Sequence, residues 1–169
     1  MTLDEFRAYL AKPGTPLSDA DIIAFEKEIG IGLPDDYRAF LQAVNGGWVG
    51  GALLISGATA DGEPIDSALH HIGGLPPEPH MDLRSQRSTY QDWLARIPRE
   101  LIWIMDDSIG NAICLGIVGD ARGKVYFWDQ EREPDLDETD GTIEGMGNIT
   151  LIAHSFETFF AGLQLAARV

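Results

Sequence analysis

The sequence predicts an α+β fold in which a mainly antiparallel sheet is flanked by N-terminal helices and a C-terminal helix. Three observations indicate this class. Apolar residues recur at helical spacing near both ends of the chain, dense apolar runs fill its middle, and only short turns separate those central runs. Short turns join antiparallel neighbours, so the central runs are predicted to form a β-meander. Helices segregated around such a sheet define the α+β class.

The first two helices are indicated by their start and stop signals. Residues 3–11 predict a short helix that stops before Pro13. A second helix begins at Ser18, where Asp21 three positions later makes a capping-box-like pair. It ends at Gly30.

The third helix begins near Pro34, which suits a first helical turn. Its apolar residues share one face at i, i+3, i+4 and i+7, and are predicted to be core: Tyr37, Phe40, Leu41 and Val44. We expect the following residues, 45–47 (Asn-Gly-Gly), to end the helix with a left-handed C-cap.

The remaining elements follow from apolar runs between turn-rich segments. The predicted strands cover residues 52–56, 69–72, 101–105, 112–118, 124–128 and 149–152. Segment 57–66 is rich in turn residues, and a proline-bearing connection, 73–99, contains a short predicted helix at about 87–95. Ser155 caps the C-terminal helix, whose core face comprises Phe156, Phe159, Phe160 and Leu163.

Length and cysteine content predict one cytoplasmic domain spanning residues 1–169. The chain has 169 residues and a single cysteine, Cys114, so no internal disulfide can form. No apolar run approaches the ~18 residues that cross a bilayer. Asp4 and Glu5 occupy positions where a secretory signal carries positive charge. These features indicate a reducing compartment.

The charge balance favours some partners and argues against others. The chain has 27 acidic and 12 basic residues, a net charge of −15. Such a field repels nucleic acid and anionic membranes, so neither is an expected partner. A cationic protein would be attracted. The alternative explanation is that the acidity serves solubility alone.

Much of the charge lies in one segment, residues 129–140, with seven acids and a single base. Its composition and Pro134 predict a solvated loop. An EF-hand calcium loop requires glycine at position 6 and glutamate at position 12. Counted from Asp135, those positions hold Asp140 and Met146. The segment is therefore not predicted to bind calcium.

No enzyme, cofactor or metal site is predicted. Asp106 and Asp107 are neighbours on a strand and should point to opposite faces, as turn residues rather than a catalytic pair. For the same reason the rings of His70 and His71 should diverge, and neither His80 nor His154 supplies zinc-ligand spacing. Cys114 lies in an apolar strand and should be an inert buried thiol. No nucleophile elbow or phosphate-binding loop occurs.

Four segments in order resemble the SUKH superfamily, of the type related to the yeast cell-wall assembly regulator. They are IIAFEKEIGIGLPDDYRAFLQAVNGG, IPRELIWIMDDSIGNAICLGI, GKVYFWDQE and LIAHSFETFFAGL. The matching positions are Phe25, Glu26, Leu33, Pro34, Tyr37, Phe40, Leu41, Asn45, Gly46, Gly47, Gly110, Asn111, Gly123, Val125, Trp128, Ser155, Phe156 and Phe159. The resemblance covers about residues 18–165, and it lies in the order and spacing of the segments rather than in any single motif.

The resemblance implies a binding protein. Bacterial members resemble immunity proteins that block a cognate toxin domain in the producing cell, and many such toxins are nucleases with basic clefts. The partner implied is therefore a toxin protein with a basic surface. The alternative is an intracellular regulatory or scaffolding domain with no toxin partner. The resemblance implies no cofactor, and the sequence does not determine the oligomeric state.

Six residues are candidates for partner binding. Trp48 follows the helix-ending glycines and is either an interface anchor or packed on the sheet. The strand ends near residues 106–112 and 128 should meet at one end of the meander. That would gather Asp106, Asp107, Asp129, Glu131 and Glu133 into one acidic rim. The alternative is a solvated face without a partner.

Overall fold

A computed structural model of the chain describes residues 1–50, 53–58, 62, 64–75 and 81–166. The α-helices are α1 (Leu3–Arg7), α2 (Asp19–Ile29), α3 (Asp35–Ala43), α4 (Leu83–Arg87), α5 (Ile143–Met146) and α6 (Phe156–Ala161). A π-helical segment, Ser88–Trp93, continues α4, and short 3-10 helices span Gly119–Ala121 and Gln130–Arg132. The strands are β1 (Gly47–Trp48), β2 (Leu53–Ala58), β3 (Pro64–Ile72), β4 (Leu101–Asp107), β5 (Ala112–Gly116), β6 (Val125–Trp128), β7 (Ile149–Ala153) and β8 (Gln164–Leu165).

The N-terminal helices begin as the sequence predicts, and α2 also ends as predicted. In α2 the Ser18 hydroxyl accepts the backbone N–H of Asp21, and the Asp21 carboxylate accepts the backbone N–H of Ser18. This reciprocal pair confirms the capping box. Gly30 ends α2 in the left-handed conformation. Both ends of α2 are therefore fixed by local chemistry.

The end of α3 differs from the prediction. Val44 caps the helix in an extended conformation, so the expected left-handed cap at residues 45–47 is wrong. The chain instead turns into β1 through Gly46 and Gly47, with φ of 70° and 137°. Buried Asn45 holds this corner, because its amide donates to Thr15 O at 2.9 Å and accepts the N–H of Leu75.

The strands form one antiparallel sheet with the order β7-β6-β5-β4-β3-β2-β8, and β1 pairs with β3 beside β2. The predicted meander of β4, β5 and β6 is confirmed. Strand β8 was not predicted; it pairs with β2 at the far edge. The predicted strand at 52–56 begins at Leu53 in the described residues, since Ala52 lies outside them. Strand β3 extends back to Pro64, into the segment that was predicted to be turns.

The sheet curls until its two sides approach each other. A methyl group at Gly57 of β2 would lie 3.5 Å from Cγ2 of Ile152 in β7. Helix α6 packs in the curl, where Phe159 and Leu163 face Ile55 across a shared cavity. The curl and the helices around it confirm an α+β fold with a mainly antiparallel sheet.

The core is continuous, and the central strands β5 and β6 are buried along their whole length. A cluster of aromatic rings joins α1, α3 and α6: Phe6, Tyr37, Phe40, Phe156 and Phe160. The predicted helix at 87–95 is found earlier, as Leu83–Arg87 continued by Ser88–Trp93. This segment covers the sheet, because the ring of Tyr90 packs edge-on against that of Trp128 at 5.8 Å. Within the described ranges, no helix combines the length and hydrophobicity needed to cross a bilayer.

Candidate functional site

The predicted site residues fall into two groups in the structure. We call residues 106–111 the hairpin turn, residues 129–140 the acidic loop, and Trp48, His70, His71 and Asp106 the histidine cluster. The hairpin turn connects β4 to β5, and the acidic loop follows β6. Ala112 of β5 pairs with both Asp106 and Trp128, so the hairpin turn and the acidic loop lie at the same end of the sheet.

The hairpin turn and the acidic loop are in direct contact. Gln130 N–H donates to Oδ1 of Asn111 at 3.0 Å, and the Gln130 amide donates to the carbonyl of Ile109. The predicted proximity of the two segments is therefore confirmed. The contacts are made by amides, however, and not by the carboxylates that the sequence analysis singled out.

Asp107 is structural and is not available to a partner. Its side chain is buried, with the residue only 3% exposed. The carboxylate accepts hydrogen bonds from the Ser67 hydroxyl at 2.6 Å, the Asn111 side-chain amide at 2.8 Å, and the Asn111 backbone N–H at 2.8 Å. A fourth bond comes from the backbone N–H of Ile109. Its inclusion in the acidic rim is therefore wrong, and its interpretation as a turn residue is confirmed.

Two further carboxylates of the predicted rim have intramolecular partners. Glu133 forms a bidentate pair with Arg96, with N–O distances between 2.6 and 2.9 Å, and both side chains are largely buried. The hydrogen bonds that Arg96 donates to Glu133 raise the pKa of Arg96. The Arg96 guanidinium also lies 4.8 Å from the centre of the Trp128 ring. Asp129 is half-buried and accepts the backbone N–H of Glu131.

The freely exposed negative charge lies farther along the acidic loop. Its solvated character is confirmed by the exposure of Glu131, Asp135, Asp137 and Glu138. Within the described part of the chain none of these four forms an ion pair. The loop closes at Asp140, where hydrogen bonds from the backbone and hydroxyl of Thr142 lower the pKa of the carboxyl group.

Besides Leu136 of the acidic loop, which is 39% exposed, two large apolar side chains on neighbouring segments are exposed, and sequence reasoning missed both. Ile109, at the tip of the hairpin turn, is 61% exposed, and Trp93 is 80% exposed. Trp93 precedes by three residues the Arg96 that pairs with Glu133. Of the four tryptophans, only Trp93 is largely exposed. Helical periodicity could not reveal it, because it lies in a π-helical segment.

Trp48 is half-buried and packs on neighbouring side chains. Its ring lies 5.4 Å from each of the His70 and His71 rings, and Lys12 Nζ lies 5.3 Å from its centre. It therefore belongs to the histidine cluster, which shares Asp106 with the hairpin turn.

The expectation that the His70 and His71 rings diverge is wrong. In β3, Leu69 pairs with Asp107 while His71 pairs with Asp106, so His70 is an extra residue in a β-bulge. A bulge places consecutive side chains on one side of the sheet. The two ring centres are accordingly 4.2 Å apart. Asp106 Oδ1 lies 2.8 Å from Nδ1 of His71 and accepts the His71 backbone N–H at 3.0 Å.

Three residues considered in the sequence analysis remain: Cys114, His154 and His80. Cys114 is fully buried in β5, and burial raises the pKa of its thiol, which agrees with an inert residue. His154 is exposed at the end of β7. His80 lies outside the described residues.

Comparison with known proteins places these features in a family. The model of the SMI1/KNR4 family (SUKH-1) matches residues 16–162. The chain is also 32% identical over 157 residues to the SPbeta prophage-derived uncharacterized protein YokK of Bacillus subtilis (strain 168), covering 82% of this chain and 70% of that protein. Both the hairpin turn and the acidic loop lie inside the matched range.

Proposed function

Because the chain belongs to the SMI1/KNR4 (SUKH-1) family, we propose that it is an immunity-type protein that neutralises a cognate toxin domain by binding it in the cytoplasm of the producing cell. No bond is made or broken by its side chains in this function. The partner is a protein with a basic surface, such as the substrate cleft of a nuclease. The prophage origin of the relative YokK supports a role in competition between cells or phages.

The proposal rests on exposed acids and exposed apolar side chains carried by segments that contact one another directly, and we infer that they form one surface. Glu131, Asp135, Asp137 and Glu138 provide the acids, and Ile109 and Trp93 provide the anchors. Exposed tryptophan is enriched at interface hot spots, and large exposed apolar groups rimmed by polar ones mark interaction sites. We call this combination the acidic docking surface.

The acidic docking surface is held in place by the rest of the fold. Gln130 joins the acidic loop to the hairpin turn, and the Arg96–Glu133 pair joins it to the segment that carries Trp93. Because these contacts exist before binding, less conformational entropy is lost when the partner docks. Unpaired carboxylates increase the association rate, whereas burial of apolar anchors slows dissociation.

Charge reversal of the acidic loop is expected to weaken toxin binding in a salt-dependent way. In Glu131→Lys/Asp137→Lys/Glu138→Lys, the association rate at low salt should fall by at least about tenfold, the lower range of electrostatic steering. At high salt the difference should shrink, because the Debye length falls from about 30 Å at 0.01 M salt to about 3 Å at 1 M. Surface plasmon resonance at two salt concentrations measures both.

The matched control reverses three exposed acids elsewhere, in Asp4→Lys/Asp120→Lys/Glu157→Lys, for the same change in net charge. Asp120 lies in the connection between β5 and β6, at the opposite end of the meander from the hairpin turn. Equal loss of binding in both triple variants would show that net charge, and not the acidic docking surface, determines association.

The toxin itself is tested by coexpression. The C-terminal domain encoded by the reading frame next to this gene is expressed in a host, with and without this chain. Growth restored by the chain, together with a stable complex of the two purified proteins, supports immunity. A neighbouring frame whose product is harmless, or toxicity that the chain does not relieve, contradicts it and favours a regulatory role.

A further inference from the structure

The geometry of the histidine cluster points to a binding site for a divalent transition-metal cation of the zinc class, with His70, His71 and Asp106 as ligands. Each residue offers one ligand atom, and these atoms all lie within 4.8 Å of one another. This inference is independent of the toxin partner, because none of the three ligands is among the acids and apolar anchors of the acidic docking surface.

The backbone creates the site through the β-bulge at His70. Leu69 and Ile72 are both fully buried, although they are three positions apart and regular alternation along a strand would place them on opposite faces. The extra residue resolves this by turning His70 and His71 to the same, half-exposed side. A bulge interrupts the hydrogen-bond ladder, and such features recur where a side chain must be redirected.

The third ligand comes from the neighbouring strand. Asp106 of β4 is the direct cross-strand partner of His71, and the backbone N–H of His71 donates to its carboxylate. This bond fixes the carboxylate beside both rings. Trp48 of β1, paired with His71 from the other side, packs against both imidazoles.

The separation of the ligand atoms suits a metal after small side-chain rotations. Nitrogen and oxygen ligands about 2.0–2.1 Å from a tetrahedral zinc ion lie about 3.3 Å from each other. The ligand atoms here lie within 4.8 Å, so side-chain torsions alone can close the site. Three protein ligands leave one coordination position for water.

The ligand types select the class of cation. Imidazole nitrogen suits zinc, nickel and copper, whereas calcium and magnesium prefer an all-oxygen shell. The His71 and Asp106 side chains retain 19% and 20% exposure, so an ion can reach them from solvent.

Isothermal titration of the metal-free protein with Zn²⁺ tests the site. We expect one Zn²⁺ ion per chain. The affinity for Zn²⁺ should fall about 10–100-fold or more in His70→Gln and His71→Gln, since loss of a residue that only supports a metal ligand already costs that much. Asp106→Asn should also weaken binding. His154→Gln is the matched control, since His154 is exposed and outside the cluster, and should bind like the wild type.

Two further measurements make the result decisive. Imidazole ¹⁵N chemical shifts should move for His70 and His71 and stay unchanged for His154, and the melting temperature of each metal-free variant shows whether it is folded. His70→Gln is the variant least expected to disturb the fold, because the His71–Asp106 hydrogen bond does not involve the His70 ring. Absence of 1:1 binding, equal loss in His154→Gln, or equal binding of Ca²⁺ would overturn the assignment. In that case Asp106 serves only to orient His71 beneath Trp48.

Discussion

Asp107→Ala is expected to lower the free energy of unfolding by at least about 3 kcal/mol, because it leaves three buried donors without an acceptor. Those donors are the Ser67 hydroxyl and the backbone and side-chain N–H groups of Asn111. Each buried donor left unpaired costs about 1–3 kcal/mol, and hydrogen bonds to a charged group lie at the upper end. Denaturant unfolding at neutral pH measures the difference.

Two comparisons isolate this effect. Asp107→Asn keeps the shape but places a donor where an acceptor is required, so it should also destabilise the fold, by a smaller amount. Glu131→Ala removes an exposed carboxylate of the acidic loop and should change stability by less than about 0.5 kcal/mol. If Asp107→Ala unfolds at the wild-type denaturant concentration, the hydrogen-bonded turn does not stabilise the native state.

Tyr37→Ala is expected to cost about 3–5 kcal/mol, the range for truncating a buried aromatic residue. Its ring is fully buried in α3 and packs edge-on against Phe156 of α6, with ring centres 5.0 Å apart. Truncation would leave a cavity between the two helices. Thermal and denaturant unfolding, with partner binding measured separately, test this assignment to the core.

Tyr37→Phe is the matched control and separates the ring from its hydroxyl. The hydroxyl is buried without a hydrogen-bond partner among the described residues, so its removal should be neutral or stabilising. Burial raises the pKa of Tyr37, so its contribution to stability is complete below the ordinary tyrosine pKa of about 10 and declines as pH rises above it. As the pH rises above ~10, the free energy of unfolding of Tyr37→Phe should therefore decrease less than that of the wild type. A phenylalanine variant as unstable as alanine would contradict this account.

The fold could be predicted where one local signal determines each element. The capping box of α2 and the short turns of the meander depend on residues next to one another, and both are confirmed. The end of α3 depends on distant contacts instead. Asn45 is held by Thr15 and Leu75, each thirty positions away, so a local C-cap rule failed there. Strand β8 has only two residues and is defined by its pairing with β2.

The candidate site was only partly predictable, because strand alternation is a rule that a single extra residue cancels. It holds for Asp106 and Asp107: one carboxylate meets His71 and the other is buried beside Ser67. It fails for His70 and His71, where the bulge is required by the pairing of β3 with β4. The charged segments were correctly placed together, but sequence could not show that Arg96 already neutralises Glu133.

The bulge at His70 makes the length of β3 as important as its composition. Deletion of His70 would bring the strand back into regular phase, with Leu69 and Ile72 two positions apart on one face and the pairing of both with β4 unchanged. Only one imidazole would then remain beside Asp106. An inserted residue that the bulge did not absorb would instead shift the pairing with β4 by one position and turn the following side chains to the other face. Relatives one residue shorter at this point would therefore keep the buried face of β3 but lose the paired imidazoles, even where every neighbouring residue is the same.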